Sequence, residues 1–325
     1  MIQEQPVVRI LAGVTGRSLA LMVGMTSGAM DAMTARRAEL GHSGMPAAQL
    51  QPIVLGVSGG AIGAAAVAMR MTRDETRQFA VDHSQEHVLG QRNFRALLSR
   101  RTLYPDARVR DLAHALVGDR TFADFALTAE VREKQPSGVT SSLIIPVYSA
   151  KHGTLLLPRD LPKLGLSDLP VADAIVAATR IPGALPAAAG LDEIFDGGCQ
   201  YRVPHEIFSP HPALILDLYG PQPYDSRGGL IFPLLHPSLP MIPRRPRPFR
   251  HRPLHESTIF ANQPYGAALK EPAHRSGELF DRGYEIAATW IQSRTVDQLL
   301  AIVDPHVLGL TKEAPFSSDS THSNA

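Results

Sequence analysis

Apolar residues along this chain fall into short, largely apolar runs and longer spaced stripes, and the two kinds alternate. The short runs, rich in Val, Ile and Leu, lie at residues 7–11, 52–55, 139–148 and 213–218, the third interrupted by Pro146. None alternates with polar residues, so each reads as a strand covered on both faces. Weaker runs at 154–157 and 194–195 read as short strands, the first placed to pair with 139–148 across a His152-Gly153 turn. Between the runs lies helical spacing. Residues 18–40 carry Leu19, Met22, Val23, Met30 and Met33 on one stripe, with Ser18 available as a cap. Residues 60–69 are Ala-rich, and Thr72-Arg73-Asp74-Glu75 is a capping box that opens a helix to about residue 87. Residues 90–135 read as irregular helix with a stop at Gly118, and 172–179 as a short helix closed by Pro182 and Pro186. Residues 277–294 place Phe280, Tyr284, Ala287 and Ile291 on one face. This alternation predicts an α/β domain over residues 7–295, built on a mostly parallel sheet.

After Tyr219 the pattern lapses. Thirteen prolines fall between Pro204 and Pro264, too many for a sheet interior or a long helix, so residues 221–265 read as an extended excursion. Residues 311–325, rich in Ser and Thr, read as a disordered tail.

Composition narrows the function classes. Lys and Arg number 32 against 31 Asp and Glu, a net charge of +1, which argues against a general nucleic-acid binder. The single cysteine, Cys199, excludes an internal disulfide and any cysteine-cluster metal site, and reads as buried and inert. Residues 19–33 and 53–69 are apolar, but at fifteen and seventeen residues both are short for a membrane span. The opening residues show no basic region feeding an apolar run, so a cytoplasmic location is expected.

The sharpest chemical signal is Gly56-Val57-Ser58-Gly59-Gly60, with a strand before it and an Ala-rich helix after it. A serine at a tight strand-to-helix turn presents its hydroxyl above the sheet, and the helix amino terminus beside it favours a developing oxyanion. The bland alternative is a glycine turn chosen for packing. An activator is needed, and no histidine has a distinctive setting. His83 and His87 sit at helical spacing without further metal ligands, while His205 and His211 lie in proline-rich sequence. Asp196 leaves the short 194–195 strand into Gly197-Gly198, where its carboxylate can reach another strand end; taken alone, an ordinary Asp-Gly turn is the simpler reading.

Taken together, these segments resemble the patatin-like phospholipase family, lipid acyl hydrolases with a Ser-Asp dyad and no catalytic histidine. Gly56-Val57-Ser58-Gly59-Gly60 matches the family's nucleophile motif, and Asp196-Gly197-Gly198 its second motif. The Ala-rich helix, proline loop and strand across 172–195 match the lead-in, and the likeness covers about residues 7–220. The resemblance implies a three-layer α/β/α fold with a central mostly parallel sheet. It implies Ser58 as nucleophile and Asp196 as general base, through an acyl-enzyme. Backbone at Gly13, Val14, Thr15, Gly16 and Gly59 would face the oxyanion, with Arg17, Gly56, Gly60, Gly197 and Gly198 supporting the loops. No cofactor and no metal are implied, and the substrate would be a fatty acyl ester of a lipid.

One motif departs. The family's first turn reads Gly-Gly-Gly-x-Arg-Gly, whereas this chain has Gly13-Val14-Thr15-Gly16-Arg17-Ser18. A β-branched residue resists positive φ, and losing one oxyanion donor typically costs about 10²–10³ in rate. Two alternatives therefore stand beside the lipid acyl hydrolase. One is a catalytically silent member that binds lipid or protein; the other is a carboxylesterase or thioesterase with a Ser-His-Asp triad. The densest charge, Arg244, Arg245, Arg247, Arg250 and Arg252, reads first as a solvated loop. Its functional alternative is peripheral contact with anionic lipid.

Overall fold

The short apolar runs pair as the middle of a seven-stranded sheet. The computed structural model describes residues 7–16, 18–40, 50–100, 102–136, 138–188, 190–209, 211–219, 256–263 and 271–303. In chain order the elements are β1 (Val7–Ala12), α1 (Leu19–Ala35), α2 (Arg37–Leu40), β2 (Gln51–Gly56), α3 (Gly60–Ala68) and α4 (Arg73–Asp82). There follow α5 (Gln85–Leu89), α6 (Phe94–Arg100), α7 (Val109–Val117), α8 (Ala129–Glu133), β3 (Leu143–Ser149) and β4 (Gly153–Leu157). The remainder is α9 (Val171–Thr179), β5 (Ile194–Asp196), β6 (Leu214–Asp217), β7 (Thr258–Phe260), α10 (Ser276–Gln292) and α11 (Val296–Val303).

The sheet order is β4-β3-β2-β1-β6-β7, with β5 paired to β3. β3, β2, β1, β6 and β7 run parallel, while β4 and β5 are antiparallel to β3. Side chains divide by the two-residue period of a strand. Val8, Ile10 and Ala12 enter one apolar cluster with Met22, Ala65 and Phe280, whereas Leu11, Ile53 and Leu55 enter another with Leu127 and Phe208. The first face is covered by most of the helices. The second is covered by α8 and a 3-10 turn at 205–208, so the flanking layers are lopsided.

β3 sets up the site. Its first residues pair with β2 (Leu55 opposite Ile144), and its last pair with β5 (Val147 opposite Asp196). β4 holds the other edge, pairing from Ile145 to Ser149. β2 and β5 therefore lie on the same edge of β3 and run toward each other. The end of one at Gly56 meets the end of the other at Asp196. Pro146, which the sequence suggested would interrupt the strand, sits where one partner gives way to the other.

On the helical face α1 and α10 pack backbone against backbone. A side-chain carbon at Gly24 would stand 2.1 Å from the Phe280 carbonyl oxygen, and one at Gly283 2.1 Å from that of Leu21.

Four expectations change. The capping box at Thr72 forms as expected, but the helix it opens stops at Asp82, where His83 leaves helical geometry, and restarts as α5 after Ser84. Ser18 occupies the N-cap position of α1 without a side-chain bond; its backbone N–H instead donates to the Thr15 carbonyl at 3.1 Å. Inside the expected excursion 221–265, residues 258–260 form β7, a parallel edge strand on β6. Beyond residue 295, α11 adds Leu299 and Ile302 to the helical-face core. The tail 311–325 lies outside the described residues, as do Arg17, Arg244, Arg245, Arg247, Arg250 and Arg252.

Candidate active site

The elbow after β2 is tight enough to force its serine into an unusual backbone. Ser58 has φ 58°, in the left-handed region that non-glycine residues rarely adopt. Val57 N–H donates to the Ala12 carbonyl (2.9 Å), and Ala61 N–H to the Ser58 carbonyl (3.0 Å), so α3 begins at once. The elbow lies against the end of β1, and a side-chain carbon at Gly60 would sit 2.4 Å from the Gly13 carbonyl oxygen. Only glycine fits there.

The Ser58 hydroxyl donates to Asp196 Oδ2 at 2.6 Å, and both residues are buried. The other carboxylate oxygen accepts the Gly198 N–H at 2.7 Å, which fixes the carboxyl plane. Burial pushes the Asp196 pKa up to about 6; the Ser58 and Gly198 hydrogen bonds and the nearby Arg202 offset part of that rise. Among the described residues no histidine hydrogen-bonds either member of the pair. His83 caps α4 and stacks on Phe79, His87 lies in the separate helix α5, and His205 lies beside Tyr201 and Glu206. No group of three or more potential metal ligands occurs among the described residues. Cys199 is buried with Tyr148 and Phe195.

The turn after β1 supplies the opposite wall. One of its residues is bonded otherwise than the resemblance implied. Gly13 is removed from the candidate oxyanion donors, because its N–H donates to the Leu216 carbonyl of β6 at 3.0 Å. Among the described residues, the N–H groups of Val14, Thr15, Gly16 and Gly59 make no such backbone bond. Thr15 is buried against the elbow: a side-chain carbon at Gly59 would meet its hydroxyl at 2.2 Å. Val14 abuts Gly198 in the same way.

Two side chains from elsewhere hold this turn. Tyr219, buried just past β6, donates its hydroxyl to the Thr15 carbonyl at 2.7 Å. Gln85, in the first turn of α5, donates to the Gly16 carbonyl at 2.7 Å. Gly16 has φ 54°, and the Tyr219 hydroxyl fills the space a side chain would need. The sequence reading missed both residues. For Tyr219 a signal existed, since the parallel register Ala12–Leu216 brings the residues just past β6 alongside the turn just past β1. For Gln85 there was none; its reach depends on the break between α4 and α5.

An apolar cavity of about 60 Å³ opens on Ser58, lined by Leu19, Ile62, Val88, Leu89, Ile181 and Leu185 among others. A larger one of about 210 Å³ shares Val109, Thr179 and Leu185 with it but does not touch Ser58. Of these two, the smaller is the one that reaches the Ser58 hydroxyl. Its lining is mostly aliphatic, and its volume has room for only the first few carbons of a chain attached to a carbonyl at Ser58. No described helix is long and apolar enough to cross a membrane.

The model of the patatin-like phospholipase family matches residues 26–209, a span that includes Ser58 and Asp196 and begins after the 13–18 turn. No curated protein matches the chain.

Proposed function

The chain belongs to the patatin-like phospholipase family, and from that premise we propose that it is a serine-dependent lipid acyl hydrolase working through Ser58 and Asp196. The observation that carries this reading is the direct 2.6 Å contact between the Ser58 hydroxyl and a buried carboxyl whose pKa is raised to about 6. A carboxylate of ordinary pKa is a weak base at neutral pH; one near 6 remains ionised there and accepts a proton more readily.

In the proposed reaction Asp196 takes the Ser58 proton while the serine oxygen attacks the ester carbonyl. The developing oxyanion is held by N–H groups at Gly59 and in the 14–16 turn, near the amino terminus of α3. The tetrahedral species collapses to an acyl-enzyme as the C–O bond to the alcohol breaks and Asp196 returns the proton to the leaving oxygen. A water then attacks the acyl carbonyl with Asp196 as base, releasing the fatty acid and restoring the Ser58 hydroxyl. The carbons next to the acyl carbonyl lie in the small apolar cavity beside Ser58.

A specific observation favours a second reading, the catalytically silent binding protein. The Gly13 amide is spent on β6, and Val14 and Thr15 stand where the family has glycines. A fluorophosphonate probe separates the two. Labelling of the wild type that disappears in Ser58→Ala supports the hydrolase. Labelling that survives Ser58→Ala overturns it, and absence of labelling and ester turnover in the wild type favours the silent member.

A further inference from the structure

The helix between the two ends of the pocket wall has no part in the chemistry above, yet it carries two large apolar side chains turned to solvent. Phe94 is 66% exposed and Leu98 84% exposed. They stand four residues apart on one face of α6, while Ala96 is buried on the other. The helix is well anchored: Asn93 Oδ1 accepts the Ala96 N–H at 2.9 Å, and Asn93 N–H donates to the Leu103 carbonyl at 2.8 Å.

Its position ties it to Ser58. Leu103 and Tyr104 donate their N–H groups to the carbonyls of Gly183 and Ala184, both at 2.9 Å. Ile181 and Leu185, on either side of that pairing, line the cavity at Ser58, as do Val88 and Leu89 where the segment begins. Charge identifies the kind of occupant. Residues 90–104 contain four arginines and no carboxylate, and Arg92 and Arg95 are exposed. An apolar pair with exposed arginines near it in the sequence fits a surface with an anionic rim over an apolar interior. The arginine-rich stretch 244–252 of this chain has the same sign and would be repelled.

We propose that α6 is an interfacial docking element, which inserts Phe94 and Leu98 into an anionic lipid bilayer while Arg92 and Arg95 meet the headgroup phosphates. This rests on the lipid-hydrolase reading for its purpose: docking there brings bilayer lipid to the mouth of the Ser58 pocket.

The test uses the full chain carrying Ser58→Ala, so that no lipid is consumed. It is sedimented with phosphatidylcholine vesicles and with vesicles of about four parts phosphatidylcholine to one part phosphatidylglycerol, at low and high salt. The expected result is binding to the anionic vesicles, reduced about tenfold or more by Phe94→Ser with Leu98→Ser. Arg95→Gln is expected to reduce it about fivefold at low salt and little at high salt. Equal binding of wild type and the double variant overturns the proposal. So does failure of the wild type to bind, which would leave the surface to an acidic protein partner. Turnover of a soluble short-chain ester, with Ser58 intact, is expected to be unchanged by the double variant. If it falls, the fold is damaged and emission from Phe94→Trp in a Trp290→Phe background decides. A blue shift on anionic vesicles supports insertion, and unchanged emission overturns it. Vesicle binding that depends on Phe94 and Leu98, with no ester turnover in the wild type, would fail the hydrolase reading and leave the docking intact.

Discussion

The two walls of the candidate site solve one problem by opposite means. In the proposed reaction both would hold backbone N–H groups toward the oxyanion that forms at Ser58. The elbow does so from within, with glycines where the chain crosses β1 and a serine forced to φ 58°. The 13–16 turn has Val14 and Thr15 at its centre and is held from outside, by the Tyr219 hydroxyl and the Gln85 amide on successive carbonyls. A hydrogen bond to a carbonyl fixes the orientation of that peptide plane, and with it the N–H of the next residue. Glycine is therefore one way to aim an amide, and a distant donor is another.

The comparison can be broken at either wall. The largest expected effect is at the base: Asp196→Asn should lower kcat by about 10⁴ with the fold retained, as measured by steady-state turnover and a thermal melt. Next is the elbow's packing. Gly60→Ala forces a carbon to 2.4 Å from the Gly13 oxygen, and a loss of about 3 kcal/mol in urea unfolding is expected. Third is pH. Below about 6, kcat/KM should fall about tenfold per unit as Asp196 takes up its proton. The stability linkage runs the other way. Because burial raises this pKa, the Asp196 contribution to stability is fully present below its ordinary value of 3.8 and is lost as pH rises through about 6. The ionisation that enables the reaction therefore weakens the fold, and Asp196→Asn should flatten that part of the melting profile.

The outer supports give smaller effects. Tyr219→Phe removes one of the two donors to the Thr15 carbonyl and should lower kcat about tenfold while leaving KM nearly unchanged. Smallest is Thr15→Gly, which makes the turn more like the family's. It should change kcat by less than about threefold, because the peptide planes are held by Tyr219 and Gln85 rather than by glycine freedom. A large gain in kcat on Thr15→Gly would mean that the threonine obstructs the oxyanion site.

Much of this architecture was legible in the sequence because buried strands announce themselves. The runs at 7–11, 52–55 and 213–218 have no polar alternation, and they became adjacent parallel strands. The glycine pattern around Ser58 likewise signalled a tight turn between strand and helix. What stayed hidden was pairing. Nothing in Ile194-Phe195 says that its strand runs antiparallel along the edge of β3 that β2 vacates, yet that choice brings Asp196 to Ser58. The fate of the Gly13 amide is hidden for the same reason, since a backbone donor's partner depends on which strand lies alongside. Proline density around residues 221–265 was misleading at 258–260. Those three residues carry no proline and need pair along only one edge to complete the sheet.

The glycine contact between α1 and α10 has a consequence in time. α1 is synthesised well before its partner, and α10 follows some 240 residues later. At ordinary translation rates that is a delay on the order of tens of seconds. Throughout it, the face of α1 that carries Gly24 and Gly28 has no helix to receive it, and neighbouring Leu21 and Met25 belong to a core still incomplete. Contacts of such long sequence separation also close slowly. The nascent chain is therefore most prone to aggregate before α10 emerges. Chains arrested short of residue 276 should be retained by chaperones, and chains extended past residue 292 released.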